Sequence, residues 1–232
     1  MDPTRTSKGP IMKRCVIALS VLVLLVLIGC GSSTTTPPPG PGTPTDRFPA
    51  TADILMANFQ LAYETMDPAM LGRVTHPQSM IILQQSTRST FPDVGEILDH
   101  TEQTRIIGRM FSGQDVLAPG GIVVPAIQTL QFQTFQRVGS WGMSPPTAAI
   151  PNTENALYSV QVLFDRGQNY STMKVTGNIR FYVAHHDSTV GGQTLQYYQI
   201  IGQVDLTDDA PFNGADKPAE SSAWGSVHAL FR

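Results

Sequence analysis

A change of hydrophobic period divides this 232-residue chain and restricts it to folds that mix helix and sheet. Leu55, Phe59, Ala62 and Met66 recur at helical spacing, with Thr51 placed to cap the start, so a helix is expected over Ala52 to Thr65. Asp67-Pro68 restarts the chain as a cap and first helical residue, giving a second helix over Pro68 to Val74. His76-Pro77 ends it, and Ser79 to Gln85 reads as a first strand. Asp93 with Glu96 three residues on has capping-box spacing and predicts a third helix, stopped near Gly113. From Ile127 the period becomes two. Strands are expected over Ile127–Val138, Leu157–Phe164, Met173–Val183 and Leu195–Leu206, with Trp224–Phe231 closing the sheet. In the clearest of them Met173, Val175, Ile179, Phe181 and Val183 share one face; Lys174, Thr176, Asn178, Arg180 and Tyr182 share the other. Helices followed by long strands give an α+β layer fold.

The first thirty residues are of another kind. Lys13 and Arg14 precede an apolar run of fourteen residues, Cys15 to Ile28, whereas a bilayer-spanning helix needs about twenty. Leu27-Ile28-Gly29-Cys30 resembles the lipobox of bacterial lipoproteins. The resemblance implies cleavage before Cys30, a diacylglycerol thioether on its sulfur, further acylation (palmitate-type) of the new amine, and attachment to the membrane through that lipid. An uncleaved anchor helix ending in a chance cysteine is the competing reading. Met1 and Met12 both remain open as the start. Three segments follow: a signal over 1–29, a lipidated linker over 30–46 and a folded domain over 47–232. The expected location is the cell envelope outside the cytoplasm. In a bacterium with two membranes it is the outer membrane facing the periplasm, since Gly31 is not the Asp that resembles an inner-membrane retention signal.

This reading explains the cysteine count. The two cysteines are Cys15 and Cys30, so the domain has neither a disulfide nor a thiolate metal ligand and must be stabilised by packing. Between Cys30 and the domain lies a tether, Gly31 to Thr45, rich in Ser, Thr, Pro and Gly, with no apolar residue to bury. The whole chain carries 15 Lys and Arg against 18 Asp and Glu; without Asp2, Arg5, Lys8, Lys13 and Arg14 these become 11 and 17, a net charge of −6. An acidic domain with no basic cluster argues against a nucleic-acid partner.

Phe59-Gln-Leu-Ala-Tyr-Glu-Thr-Met-Asp67, then Met70-Leu71 and a His-Pro before a strand, resembles the opening of the nuclear-transport-factor-2-like (cystatin-like) superfamily, which includes ketosteroid isomerases and polyketide cyclases. Arg109-Met-Phe-Ser112, Gln203-Val-Asp-Leu206 and Ser222–Phe231 resemble uncharacterised bacterial lipoproteins of the same fold. The resemblance covers about residues 48–232. It implies a curved antiparallel sheet wrapped around the N-terminal helices, forming a cone with a cavity. Ligand-cavity candidates are Tyr63, Phe59, Ile82, Phe111 and Trp141.

No catalytic residue stands out. Enzymes similar to ketosteroid isomerase place a carboxylate on the first strand, but Met80-Ile-Ile-Leu83 has none. Asp67 reads as a cap, and Asp205 as the fixer of a turn. His185-His186-Asp187 reads as a polar hairpin loop, while His76, His100 and His228 stand alone, His228 on the solvent side of a last strand. Asp209, Asn213, Gly214 and Glu220 fit a calcium loop except that Pro211 occupies position three, so no metal or cofactor is expected. The long loops Ser112–Ala126 and Gly139–Glu154 suit a lid, with Trp141, Met143 and Ile150 as its apolar contacts. Three functions remain open: a non-enzymatic envelope module binding a small apolar ligand or a protein; an isomerase, dehydratase or cyclase; and an assembly role through a homodimer at the outer sheet face.

Overall fold

The computed structural model describes residues 46–118, 121–190, 192–207 and 219–232, all within a compact unit spanning Pro44–Arg232. Cys30 and the Asp209–Gly214 stretch lie outside the described residues. Local signals set the first elements. Helix α1 (Ala52–Glu64) starts where Thr51 Oγ1 accepts from the Ile54 amide, and α2 (Pro68–Val74) where Asp67 Oδ1 accepts from Ala69 and Met70. Met66 between them adopts a left-handed φ of 50°, which reverses the chain in a few residues. On α1 the buried side chains Leu55, Met56, Phe59, Ala62 and Tyr63 form one helical stripe.

The chain then enters β1 (Thr75–Ile82) and a short polar helix, α3 (Gln85–Thr90), before β2 (Ile97–Asp99) and α4 (His100–Met110). The expected third helix thus starts at His100, its cap six residues after Asp93. Asp99 is its cap, accepting from the Glu102 amide at 2.8 Å. Ile97–Asp99 instead pairs with β1, Ile82 against Ile97 and Ile81 against Leu98, which sends Leu98 into the core.

The remaining strands are a small hairpin, β3 (Val116–Ala118) with β4 (Ile122–Val124), then β5 (Thr129–Met143), β6 (Glu154–Asp165), β7 (Thr172–Val190), β8 (Gln193–Thr207) and β9 (Ala219–Ser221). The curved main sheet runs β2-β1-β8-β7-β6-β5, with β9 beside β7. It is mixed, not antiparallel as expected. Hairpins force β5 to β8 to alternate, but β1 reaches the sheet through helices and lies parallel to β8, as β9 does to β7. The chain ends in helix α5 (Trp224–Leu230), not a strand. Trp224, Val227, His228 and Phe231 fall on one helical face, and all four are buried.

The helices pack on one face of the sheet. Phe59 lies at the centre, with ring centroids 5.1 Å from Phe181, 5.8 Å from Phe135 and 4.8 Å from Tyr63. Met173, Val175, Ile179, Phe181 and Val183 line that inner face, as the alternation requires. On the outer face Lys174, Thr176 and Asn178 are half-buried and Arg180 is exposed, but Tyr182 is buried. Tyr182 pairs with Gly202 across β7 and β8, and Ile150 sits directly on Gly202, where a Cβ would meet its Cδ1 at 1.9 Å. The β5–β6 connection is therefore a strap over the outer face. It is anchored by Ser144 N to Thr153 O (2.7 Å) and by Asn155 Nδ2 to Ser144 Oγ (3.0 Å).

Candidate functional site

Tyr63 extends the buried stripe of α1 to the point where α5 crosses it. Its ring meets Phe111 edge-on at 5.3 Å and Trp224 at 5.2 Å, and its hydroxyl lies 3.4 Å from His228 Nε2. The tautomer of His228 follows from its other bond. Nδ1 is 2.9 Å from the Trp224 carbonyl, which only accepts, so Nδ1 carries the proton and Nε2 accepts from Tyr63. Burial lowers the His228 pKa to about 4, against the raising effect of the Trp224 carbonyl, and pushes the Tyr63 phenol well above its ordinary range. Both groups are thus neutral across the physiological range.

Trp224 orients a second polar group. Its Nε1 donates to Gln203 Oε1 at 3.2 Å, which fixes the amide so that Gln203 Nε2 points elsewhere, with no partner among the described residues. Beneath it, Asp205 holds the start of α5, which has no capping side chain of its own. Asp205 Oδ1 accepts from the Thr207 amide (3.0 Å) and hydroxyl (2.6 Å), Oδ2 accepts from the Gly225 amide (2.7 Å), and Thr207 Oγ1 accepts from the Trp224 amide (2.8 Å). Gly225 is required here because a Cβ would lie 2.6 Å from Leu83 Cδ2 and 2.8 Å from Asp205 Oδ2. Asp205, expected to fix a turn, lies within β8, and what it holds is the start of the last helix. Asp205→Asn, which turns one acceptor into a donor facing amides, is expected to cost about 2 kcal/mol in urea unfolding.

These groups form the floor of a cleft between α2 and α4. Pro68, Gly72, His100 and Thr104 stand at its mouth; Leu71, Ile81 and Ile107 form the walls; Tyr63, Gln203 and His228 lie at the bottom. Gln103, also on the wall, donates to the Ser79 and Leu98 carbonyls at 3.1 and 2.9 Å and ties α4 to β1 and β2. The cavity is about 40 Å³, room for two or three waters. Drug-sized sites are roughly 300–1,000 Å³. Among the described residues no Asp, Glu, Lys or Arg lines it.

Of the five cavity candidates, only Tyr63 lines this cleft. Phe59 is enclosed in the core, and Phe111 backs Tyr63. Ile82 points to the opposite sheet face, because on β1 it is Ile81 that faces inward. Trp141 sits near the start of α1, donating to Asp53 Oδ1 at 2.9 Å. Ile150 is on the far side of the sheet, so the β5–β6 loop is not a lid for this cleft. Two histidine readings also change. His228 is buried on a helix, and His185-His186 lie within β7, not in a loop. His186 stacks on His76 at 4.9 Å, so neither is isolated. Burial, then His186 and His100, lower the His76 pKa. Among the described residues no cluster of His, Cys, Asp or Glu could hold a metal ion.

No family model matches the chain, and no curated protein matches it.

Proposed function

We propose that the chain is a lipid-anchored envelope protein of the nuclear-transport-factor-2-like kind, whose cone is occupied by a binding cleft rather than a catalytic centre. The order of elements supports the fold reading: two helices, β1, the short α3, β2 paired back on β1, α4, the β3–β4 ribbon, then a four-strand meander whose last strand returns beside the first. The segments that carry the lipoprotein resemblance also meet in space. Gln203 and Asp205 bind Trp224 and Gly225, and the Arg109 guanidinium donates to the Arg232 carbonyl beside α5.

The observation that carries the binding reading is the neutrality of the floor. Acid–base catalysis wants a group poised near the working pH. Here the histidine titrates near 4, the tyrosine far above its usual range, and among the described residues no carboxylate is within the lining. An uncharged ligand is favoured, because a buried ion would find no counter-charge among the described lining residues. It enters narrow end first, with apolar walls and Gln203 Nε2 donating at the bottom. The enzymatic alternative, an isomerase, dehydratase or cyclase, rests on Tyr63 as a neutral donor and lacks a base.

Gly72→Trp tests this. A Cβ at Gly72 meets nothing within 4 Å, so the indole can cover the mouth without disturbing the helix. Native mass spectrometry of protein purified from its own host is expected to show a small adduct on the parent chain. The variant should bind it roughly tenfold less well or worse, with an unchanged thermal midpoint. A parent chain that carries no adduct and binds nothing from a host extract would leave the cleft as a water site.

A further inference from the structure

Two buried glutamines line the cleft, Gln203 at 3% exposure and Gln103 at 6%, and each has one end of its amide already engaged. Gln103 Nε2 donates both hydrogens, to the Ser79 and Leu98 carbonyls, which only accept; the amide is thereby fixed and Oε1 is left over. Gln203 is fixed the other way. Its Oε1 accepts from Trp224 Nε1, and the Nε2 hydrogens are left over. Neither leftover atom has a partner among the described residues. The unpartnered side-chain atoms sealed from water there are Arg88 Nε and His186 Nε2. Gln103 Oε1 and Gln203 Nε2 therefore keep an opening, and both residues line the cleft.

The register places the two amides on either side of Ile81. Gln203 pairs with Ile81 across β8, and Leu98, whose carbonyl holds Gln103, pairs with it across β2. Neighbouring strands lie about 4.8 Å apart, a span that one small head group with a hydrogen bond at each end can bridge. The other polar groups of the lining add acceptors. Thr75 Oγ1 donates to the Leu71 carbonyl and Thr104 Oγ1 to the His100 carbonyl, each at 2.8 Å, while the Tyr63 hydroxyl donates to His228. Below the mouth the free donor among the described lining side chains is Gln203 Nε2, set among oxygens that accept.

We propose that the cleft recognises a primary carboxamide head group, its oxygen accepting from Gln203 Nε2 and its NH2 donating to Gln103 Oε1. This rests on the reading of the cleft as a binding site and names what it selects. The carbon, oxygen and nitrogen of the head take the place of the few waters the floor can hold, and an alkyl tail lies along Leu71, Ile81 and Ile107. Groups of the same shape fail on definite grounds. A carboxylate sets negative oxygens against Gln103 Oε1, an ammonium sets its charge against the Gln203 N–H groups, and neither meets a counter-charge among the described lining residues. A ketone satisfies Gln203 but leaves Gln103 Oε1 buried and unpaired, and a site built around a hydrogen bond rejects the analogue that lacks it.

The test titrates the full chain with pentanamide, 2-hexanone and pentanoate, which share one butyl tail and differ in the head. Binding is followed by NMR of the side-chain amides, where pentanamide should move the Gln203 NH2 signals. Pentanamide is expected to bind with a Kd of about 1 mM, 2-hexanone roughly tenfold or more weaker, and pentanoate not measurably. Gln203→Met keeps the side-chain length but cannot donate, and should bring pentanamide down to the level of the ketone. Should that variant fold poorly, the three probes on the parent chain decide alone. Gly72→Trp, which covers the mouth, separates two kinds of failure. Equal affinity for pentanamide and 2-hexanone, both lost in Gly72→Trp, overturns the carboxamide assignment and leaves the cleft a binding site. Pentanamide binding that survives Gly72→Trp, or no binding by any of the probes, overturns both.

Discussion

Phe59→Ala is expected to cost about 3–5 kcal/mol, read as a lower urea midpoint and a fall in thermal midpoint of roughly 10 °C. Phe59 reaches across the sheet's inner face, touching Phe132 and Phe135 on β5 and Phe181 on β7. It is fully buried, so removing the ring loses its transfer free energy and leaves a cavity. Its neighbours cannot close that space easily. Tyr63 is held by Phe111, Trp224 and the bond to His228; Phe181 is fixed by its place in a central strand. With no disulfide to restrain the unfolded chain, nothing offsets the loss. Phe59→Leu keeps most of the volume and is expected to cost less than half as much. If Ala and Leu were equally mild, α1 would not be seated as described.

The sequence made some of these elements legible and hid others for identifiable reasons. Thr51 and Asp67 stand at the boundaries they cap because a side-chain acceptor within three residues of an amide is a local matter. The third helix shows the limit of that logic. Asp93…Glu96 and Asp99…Glu102 have the same spacing, and only the pairing of Ile97 and Leu98 with β1 selects the second. Trp224–Phe231 has aromatic and β-branched residues that suit a strand, yet its Trp224, Val227, His228, Phe231 spacing is helical, and that was the signal for a buried His228. Tyr63 was readable as a residue near the cleft. Gln203 and His228 were not, since their place at the floor depends on α5 folding back beside Tyr63, whose hydroxyl meets His228 across 165 residues of chain. The stack of His76 on His186 is likewise set by the β1–β8–β7 order and leaves no trace in local spacing.

Lowering the pH from 7 to 4 is expected to remove about 3 kcal/mol of stability through His228 alone. Its pKa is about 4 in the fold, lowered by burial and partly restored by the Trp224 carbonyl, against 6.5 in an exposed chain. Between those values the unfolded chain takes up a proton that the folded chain refuses, so stability falls as the pH drops through 6.5 and the loss levels off below 4. His76, also lowered, adds a smaller effect of the same sign. Carboxylates contribute to acid unfolding as well, and comparison with His228→Phe separates them because they are common to both chains. The gap between parent and variant should narrow steadily from pH 7 to 4 in urea midpoints. Parallel curves would mean that His228 titrates normally and that its ring is reached by water. Should the variant fold poorly, the imidazole proton shifts of the parent give the same answer, staying flat above about pH 5. The outcome also bears on the cleft. A floor that stays uncharged from pH 5 to 8 should hold an uncharged ligand with an affinity that barely changes over that range, whereas a histidine titrating near 6.5 would make binding fall on one side of it.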